Sequence, residues 1–242
     1  MKRVSIGLAV SAVLLAFSSP SAPGPEHSWV AFSCSEGEEQ CAALDIHRPI
    51  EATAQGATPR LTLPLDEQTN IVLDKGALAM TGQDREIWRS DPTWDVRRLL
   101  VADVNNDGQE EVAFVLWRPF RLKPAIVYET FNFPPLWEEG TFRNHLFIFA
   151  WRDGVWERLW CSSPVAEPII ELGAADVDGE GSNELVVLEG TYDAPHPPAS
   201  HVSVWRWNGW GFTLLWRSSR GTWDHLMLQD ITDDGILEIL LS

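Results

Sequence analysis

Cysteine and positive charge are both scarce in this chain. Three cysteines, Cys34, Cys41 and Cys161, occur in 242 residues. They cannot make a cysteine-rich zinc site, because no fourth Cys or close His completes a set. At most one intramolecular disulfide can form. Cys34 and Cys41 can close a small loop around an acidic tip, or either can pair with Cys161, and the sequence does not choose between them. Lys and Arg number 18 against 35 Asp and Glu, a formal net charge of −17. That imbalance argues against nucleic acid or an anionic membrane surface as a partner. Catalytic signatures are also missing: there is no G-x-S-x-G turn, no H-E-x-x-H pair and no phosphate-cradling Gly loop. The six histidines are scattered, and His196 and His201 flank a Pro-rich loop without supporting carboxylates nearby in sequence.

The longest apolar stretch is residues 4–17, after Met1-Lys2-Arg3 and before Ser18-Ser19-Pro20-Ser21-Ala22. It is too short for a comfortable membrane span and reads as the core of a secretory signal over residues 1–22. Small residues suit cleavage after Ser18; a cut after Ala22 would put Pro23 next. No Cys lies there to carry a lipid anchor. The mature chain is therefore expected to be secreted, periplasmic or at the cell surface, with no membrane span left after signal cleavage. It would be more acidic still once Lys2 and Arg3 are gone.

What the chain has in abundance is one acidic pattern. Asp103, Asn105, Asp107, Gly108 and Glu111 recur as Asp176, Asp178, Glu180, Gly181 and Glu184, and again as Asp230, Thr232, Asp234, Gly235 and Glu238. Oxygen-bearing side chains at alternate positions, with one Gly to permit a sharp turn, can wrap a hard cation. The backbone carbonyls of Gln109, Ser182 and Ile236 add a ligand at the seventh position of each copy. An EF-hand has its bidentate Glu at position twelve and sits between helices. Here the carboxylate comes at position nine, and the runs that follow are short and β-branched, so each loop joins two strands. An Asp-Gly turn alone would not need a Glu three residues after the Gly every time. Without a cation, the ten carboxylates at the repeated positions of the three loops would repel one another, so cation binding is expected to couple to folding. Of the three, the loop with Thr232 is expected to bind calcium most weakly, since a hydroxyl is a poorer ligand than an amide or carboxylate.

The repetition extends beyond the loops. A Trp with Ser two residues later precedes each one: Trp88 and Ser90, Trp160 and Ser162, Trp216 and Ser218. Upstream lie hairpin signals, Asp153-Gly154 and Asn208-Gly209, flanked by apolar runs. Each unit thus reads hairpin, linker, strand, acidic loop, strand, which is four strands in about 45 residues, the size of a propeller blade. The units are 71–118, 145–190 and 201–242. Most of the 13 tryptophans are expected to pack between and within sheets. Residues 23–70 form an N-terminal segment with strand candidates at 29–32 and 60–64, which with 71–73 at the start of the first unit could make a degenerate blade.

With these residues in view, the loops, the Trp-x-Ser and the strand order resemble FG-GAP/VCBS repeats, found in integrin-alpha-like β-propellers and many secreted bacterial proteins. The likeness covers about residues 71–242. It implies calcium in the loops, carried by Asp103, Asn105, Asp107, Gln109, Glu111, Asp176, Asp178, Glu180, Ser182, Glu184, Asp230, Thr232, Asp234, Ile236 and Glu238. Thr232 and Glu180 depart from the Asp or Asn usual at their positions. The fold expected is all-β: a small propeller-like domain of three to four four-stranded blades, closed if four are present and an open arc if three. The function expected is a calcium-binding scaffold or binding module for a protein or glycan ligand, with no catalysis of its own. The alternative is a hydrolase or lyase acting on extracellular polysaccharide, for which Glu138, Glu139 and Asp193 are the candidate carboxylates outside the loops. The segments 119–144 and 190–200 interrupt the repeats, where function tends to sit; the aromatics of the first either form a contact surface or fold back to cap an exposed sheet edge.

Overall fold

Short runs of β-branched and aromatic residues, too apolar to leave either face in water, dictate strands buried on both sides. The computed structural model describes residues 30–34, 41–44, 60–83, 85–121, 138–192 and 198–242, and among them there is no helix. The strands are β1 (Val30–Ser33), β2 (Ala42–Leu44), β3 (Leu61–Pro64), β4 (Thr69–Asp74), β5 (Ala77–Gly82), β6 (Arg85–Arg89), β7 (Asp95–Ala102), β8 (Glu111–Pro119), β9 (Phe142–Arg152), β10 (Val155–Cys161), β11 (Ile169–Ala175), β12 (Glu184–Glu189), β13 (His201–Trp207), β14 (Phe212–Arg217), β15 (Leu226–Gln229) and β16 (Glu238–Leu241). They make four four-stranded antiparallel sheets. The first three are meanders: β3 to β6, β7 to β10 and β11 to β14. The fourth has the order β15-β16-β1-β2 and joins distant parts of the chain, with Ala31 opposite Leu240.

Each acidic loop lies inside a sheet, between its first and second strands: 103–110 joins β7 to β8, 176–183 joins β11 to β12, and 230–237 joins β15 to β16. The unit read from the sequence and the sheet therefore share a period but differ in phase. Residues 71–118 begin in the first sheet and end in the second. In the first sheet the corresponding connection is the four-residue turn 65–68, which has no Gly and is too short for the alternating ligand pattern. Asp66 holds that turn by accepting from the backbone N–H groups of Gln68 and Thr69, each at 2.7 Å.

Because both faces of the central strands are apolar, the sheets stack through three clusters. Ile71, Leu73, Leu78 and Met80 of the first sheet meet Val112, Phe114, Leu116 and Phe147 of the second. Ala113, Val115, Leu146 and Ile148, on the other face of the second, meet Leu185 and Val187 of the third. Val186, Leu188, Val202 and Val204 then meet Ile239 and Leu241 of the fourth. Val72 and Ala79 on the first sheet, and Ala31 and Leu240 on the fourth, are buried as well yet belong to none of these clusters.

The Trp-x-Ser pattern has two mechanical roles. Ser90, Ser162 and Ser218 each extend the last strand of a sheet by one pair. Their N–H groups donate to the carbonyls of Leu78, Leu146 and Val202, and their hydroxyls accept from the N–H groups of the same three residues. The tryptophans reach the next sheet: Trp88 contacts the Trp156 ring at 5.4 Å, Trp160 the Phe212 ring at 5.4 Å, and Trp216 the Phe32 ring at 5.4 Å. Each such contact adds about 1 kcal/mol beyond area burial. Cys34 and Cys41 form the disulfide, closing the β1–β2 connection, and Cys161 is free and half-buried. Residues 1–22, where a secretory signal is expected, lie outside the described residues, as do Asp193, His196 and most of the 119–144 segment.

Candidate metal centre

The three acidic loops share a hydrogen-bonded skeleton that follows from their sequence. The first Asp of each turns its carboxylate inward and caps the loop backbone. Asp103 accepts from the N–H of Asp107 at 3.2 Å and of Gly108 at 2.8 Å. Asp176 accepts from Gly179 at 2.7 Å and Gly181 at 2.8 Å, and Asp230 from Asp233 at 2.6 Å and Gly235 at 2.9 Å. Gly108, Gly181 and Gly235 have φ of 86°, 83° and 90°, the left-handed region that an L side chain rarely adopts. The closing Glu of each loop is essentially without solvent exposure. Glu111, Glu184 and Glu238 accept from the N–H of Val104, Val177 and Ile231 at 3.1, 3.3 and 2.8 Å.

The loops also touch one another. Asn183 donates its N–H to Asn106 Oδ1 at 2.6 Å and its amide to the Asp103 carbonyl at 2.8 Å, tying the second loop to the first. A Cβ on Gly179 would lie 2.8 Å from Ile236, so the third loop packs against the second.

Neutralisation of the buried carboxylates is where the loops diverge. Arg152, at the end of β9, donates to Asp107 at 2.8 Å and to Glu111 at 2.5 Å. Arg206 in β13 reaches Asp178 at 2.5 Å, Glu180 at 2.8 Å and Glu184 at 3.0 Å. In the third loop the Thr232 hydroxyl donates to Glu238 at 3.0 Å instead. Burial pushes the Glu111 carboxyl up to about 7, and burial together with the Asp178 charge does the same to Glu184.

Of the fifteen residues expected to ligate a cation, Asp176, Asp178 and Glu184 bring carboxylate oxygens within 4.8 Å of one another. The carboxylates of the first and third loops do not converge that closely among the described residues. Asn105 Oδ1 is engaged by the Asp107 N–H at 2.9 Å, and Asp234 Oδ1 by the Ile236 N–H at 2.9 Å. Gln109 and Ser182 stand with Ile236 at the seventh position of their loops, and Gln109 donates its N–H to Asp107 Oδ1 at 3.0 Å. Glu138 and Glu139 are exposed beside a turn, and neither belongs to a group of three possible metal ligands among the described residues.

No family model matches the chain, and neither does any curated protein or solved structure. The site must therefore be read from its own chemistry. Sequence reasoning missed Arg152 and Arg206, although a signal was present: Trp151-Arg152 and Trp205-Arg206 both stand just ahead of a hairpin turn. It also treated His201 as unsupported, whereas folding brings Glu167 and Glu189 beside it.

Proposed function

We propose that the chain is a secreted, calcium-binding β-propeller of four blades, a binding or scaffold module for a protein or glycan ligand without catalysis of its own. The four sheets are the blades, and the resemblance to FG-GAP/VCBS repeats accounts for their loops. Sheet closure by β1 and β2 on β16 is the arrangement that ties the two ends of a propeller together. Ring closure accounts for the burial of Val72 and Ala79 on the first sheet and of Ala31 and Leu240 on the fourth, which would face each other. Export accords with the signal-like N-terminus and with the Cys34–Cys41 disulfide.

The observation that carries the cation reading is the convergence of Asp176, Asp178 and Glu184 within 4.8 Å. These are hard oxygen donors carrying several negative charges, the set calcium prefers. Asp176, Asp178, Glu180 and Glu184, with the Ser182 carbonyl, would hold the ion in the second loop. The corresponding residues would do so in the first and third. The bound ion would supply positive charge to carboxylates that otherwise repel. It must compete with Arg206 for Asp178, Glu180 and Glu184.

Calcium binding only the folded chain should raise the melting temperature, by about 2.7 kcal/mol of stability at a hundredfold excess over Kd. Melting the protein with calcium and with chelator, at low ionic strength, measures this. Identical melts after verified metal removal would show that the loops are plain turns.

A further inference from the structure

A second constellation lies apart from the loops. Glu189 ends β12 and His201 opens β13, directly opposite in register, and Glu167 comes from the connection before β11. One donor atom from each falls within 4.8 Å of the others. His201 Nδ1 is 3.6 Å from Glu167 Oε2. Two ligands of one tetrahedral ion with bonds of about 2.1 Å stand about 3.4 Å apart, so this spacing needs little adjustment.

Two buried polar atoms here lack hydrogen bonds. Glu189 is 7% exposed, and its Oε2 lies 2.8 Å from the Arg217 guanidinium but out of hydrogen-bond alignment. The Ser203 hydroxyl, fully buried, lies close enough to that carboxylate to favour its charged form, although it is out of hydrogen-bond alignment. One nitrogen of Arg217 also approaches Glu167 Oε2 and stands 3.2 Å from His201 Nδ1. A positive group thus already occupies the point at which the three donors meet. Arg217 is about one-third exposed and borders an open groove with Phe32, Leu215 and Trp216, so it has space to swing aside. Ser200 Oγ, 2.9 Å from His201 Nδ1, completes the polar surroundings.

We propose that Glu167, Glu189 and His201 form a site for a borderline divalent cation of the zinc class, separate from the all-oxygen calcium loops. Imidazole with carboxylates selects zinc over calcium, because nitrogen is a poor ligand for the harder ion. The ion replaces the Arg217 guanidinium between the two carboxylates, and water fills its remaining coordination position. This site does not depend on the calcium reading.

The test is zinc titration of the full mature chain by calorimetry, in a Cys161→Ser background so that the free thiol takes no part. One zinc per chain is expected, weakened at least tenfold in both His201→Gln and Glu189→Gln. Arg217→Gln is expected to tighten zinc several-fold, and none of the three should alter the calcium-dependent melting shift. His201→Gln alone decides the matter if Glu189→Gln fails to fold, since His201 is the more exposed of the two. Zinc binding equally well to wild type and His201→Gln, or to neither, overturns the proposal.

Discussion

In loop 176–184 the buried Glu184 meets the guanidinium of Arg206, whereas in loop 230–238 the equally buried Glu238 meets the Thr232 hydroxyl and a backbone N–H. The turn itself is the same in both, closed by the first Asp on backbone donors three and five residues ahead. The skeleton in both is built on the same carboxylate-to-backbone bonds. What differs is the source of positive charge. Arg206 cancels one charge of the second loop from within the protein, whereas among the described residues no arginine pairs with Asp230, Asp234 or Glu238 of the third. Ligand counting alone ranks the third loop well below the second; the arginine narrows that gap.

The largest expected effect follows from removing the two buried carboxylates in turn. Glu184→Ala leaves the Val177 N–H without an acceptor and takes one of three partners from Arg206, at an expected cost of about 3 kcal/mol. Glu238→Ala strands the Ile231 N–H and frees a hydroxyl, with no arginine to lose, for an expected cost of about 2 kcal/mol. Urea denaturation of both variants in chelator measures the difference. A double-mutant cycle of Glu184→Ala with Arg206→Ala should show coupling of about 1 kcal/mol. Zero coupling would mean that the two loops do not differ in the way described.

The second sheet buries a titratable group by another route, keeping it neutral. His145 is 2% exposed, and its Nδ1 lies 3.2 Å from the Ser162 carbonyl, to which it donates, while Nε2 accepts from Arg118 Nε at 3.2 Å. Burial first, then the Arg118 charge, holds its pKa down to about 4. The unfolded chain takes up this proton near pH 6.5 and the folded chain does not. The stabilisation is therefore complete above about pH 6.5 and is lost as pH falls toward 4. Between pH 7 and pH 5 wild type should lose about 2 kcal/mol more stability than His145→Gln. Parallel pH profiles for the two proteins would show that His145 charges within the fold.

Much of the fold could be read in the sequence because its signals are local. The Asp-Gly turns, the β-branched runs and the Trp-x-Ser pairs each fix a few neighbouring residues, and three repetitions made their period visible. The first sheet's counterpart of the acidic loop was not legible, since the turn 65–68 keeps only Asp66 of the pattern. The pairing of β1 with β16 was also hidden, because register between strands some two hundred residues apart leaves no mark in either. The site was half legible for the same reason. Loop ligands follow one another along the chain, but Arg206 reaches Asp178 from 28 residues away and Glu167 reaches Arg217 across 50. Side chains brought together by sheet packing show no sequence spacing.

The smallest expected effect bears most directly on the difference between the loops. If Arg206 and calcium compete for Asp178, Glu180 and Glu184, then Arg206→Gln should tighten calcium at the second loop by about tenfold, or about 1.4 kcal/mol. The same change should lower stability in chelator, because three carboxylates lose their counter-charge, and calcium should restore it. The third loop, whose Asp230, Asp234 and Glu238 are not in contact with Arg206, provides the internal control: its affinity should be unchanged in Arg206→Gln. Calcium titration of wild type, Arg206→Gln and Arg206→Gln with Asp230→Ala separates the two sites, since Asp230→Ala removes the first ligand of the third loop. Should Arg206→Gln bind calcium no more tightly than wild type, the guanidinium would be a ligand-shell partner that coexists with the ion, and the second loop would owe its affinity to its carboxylates alone.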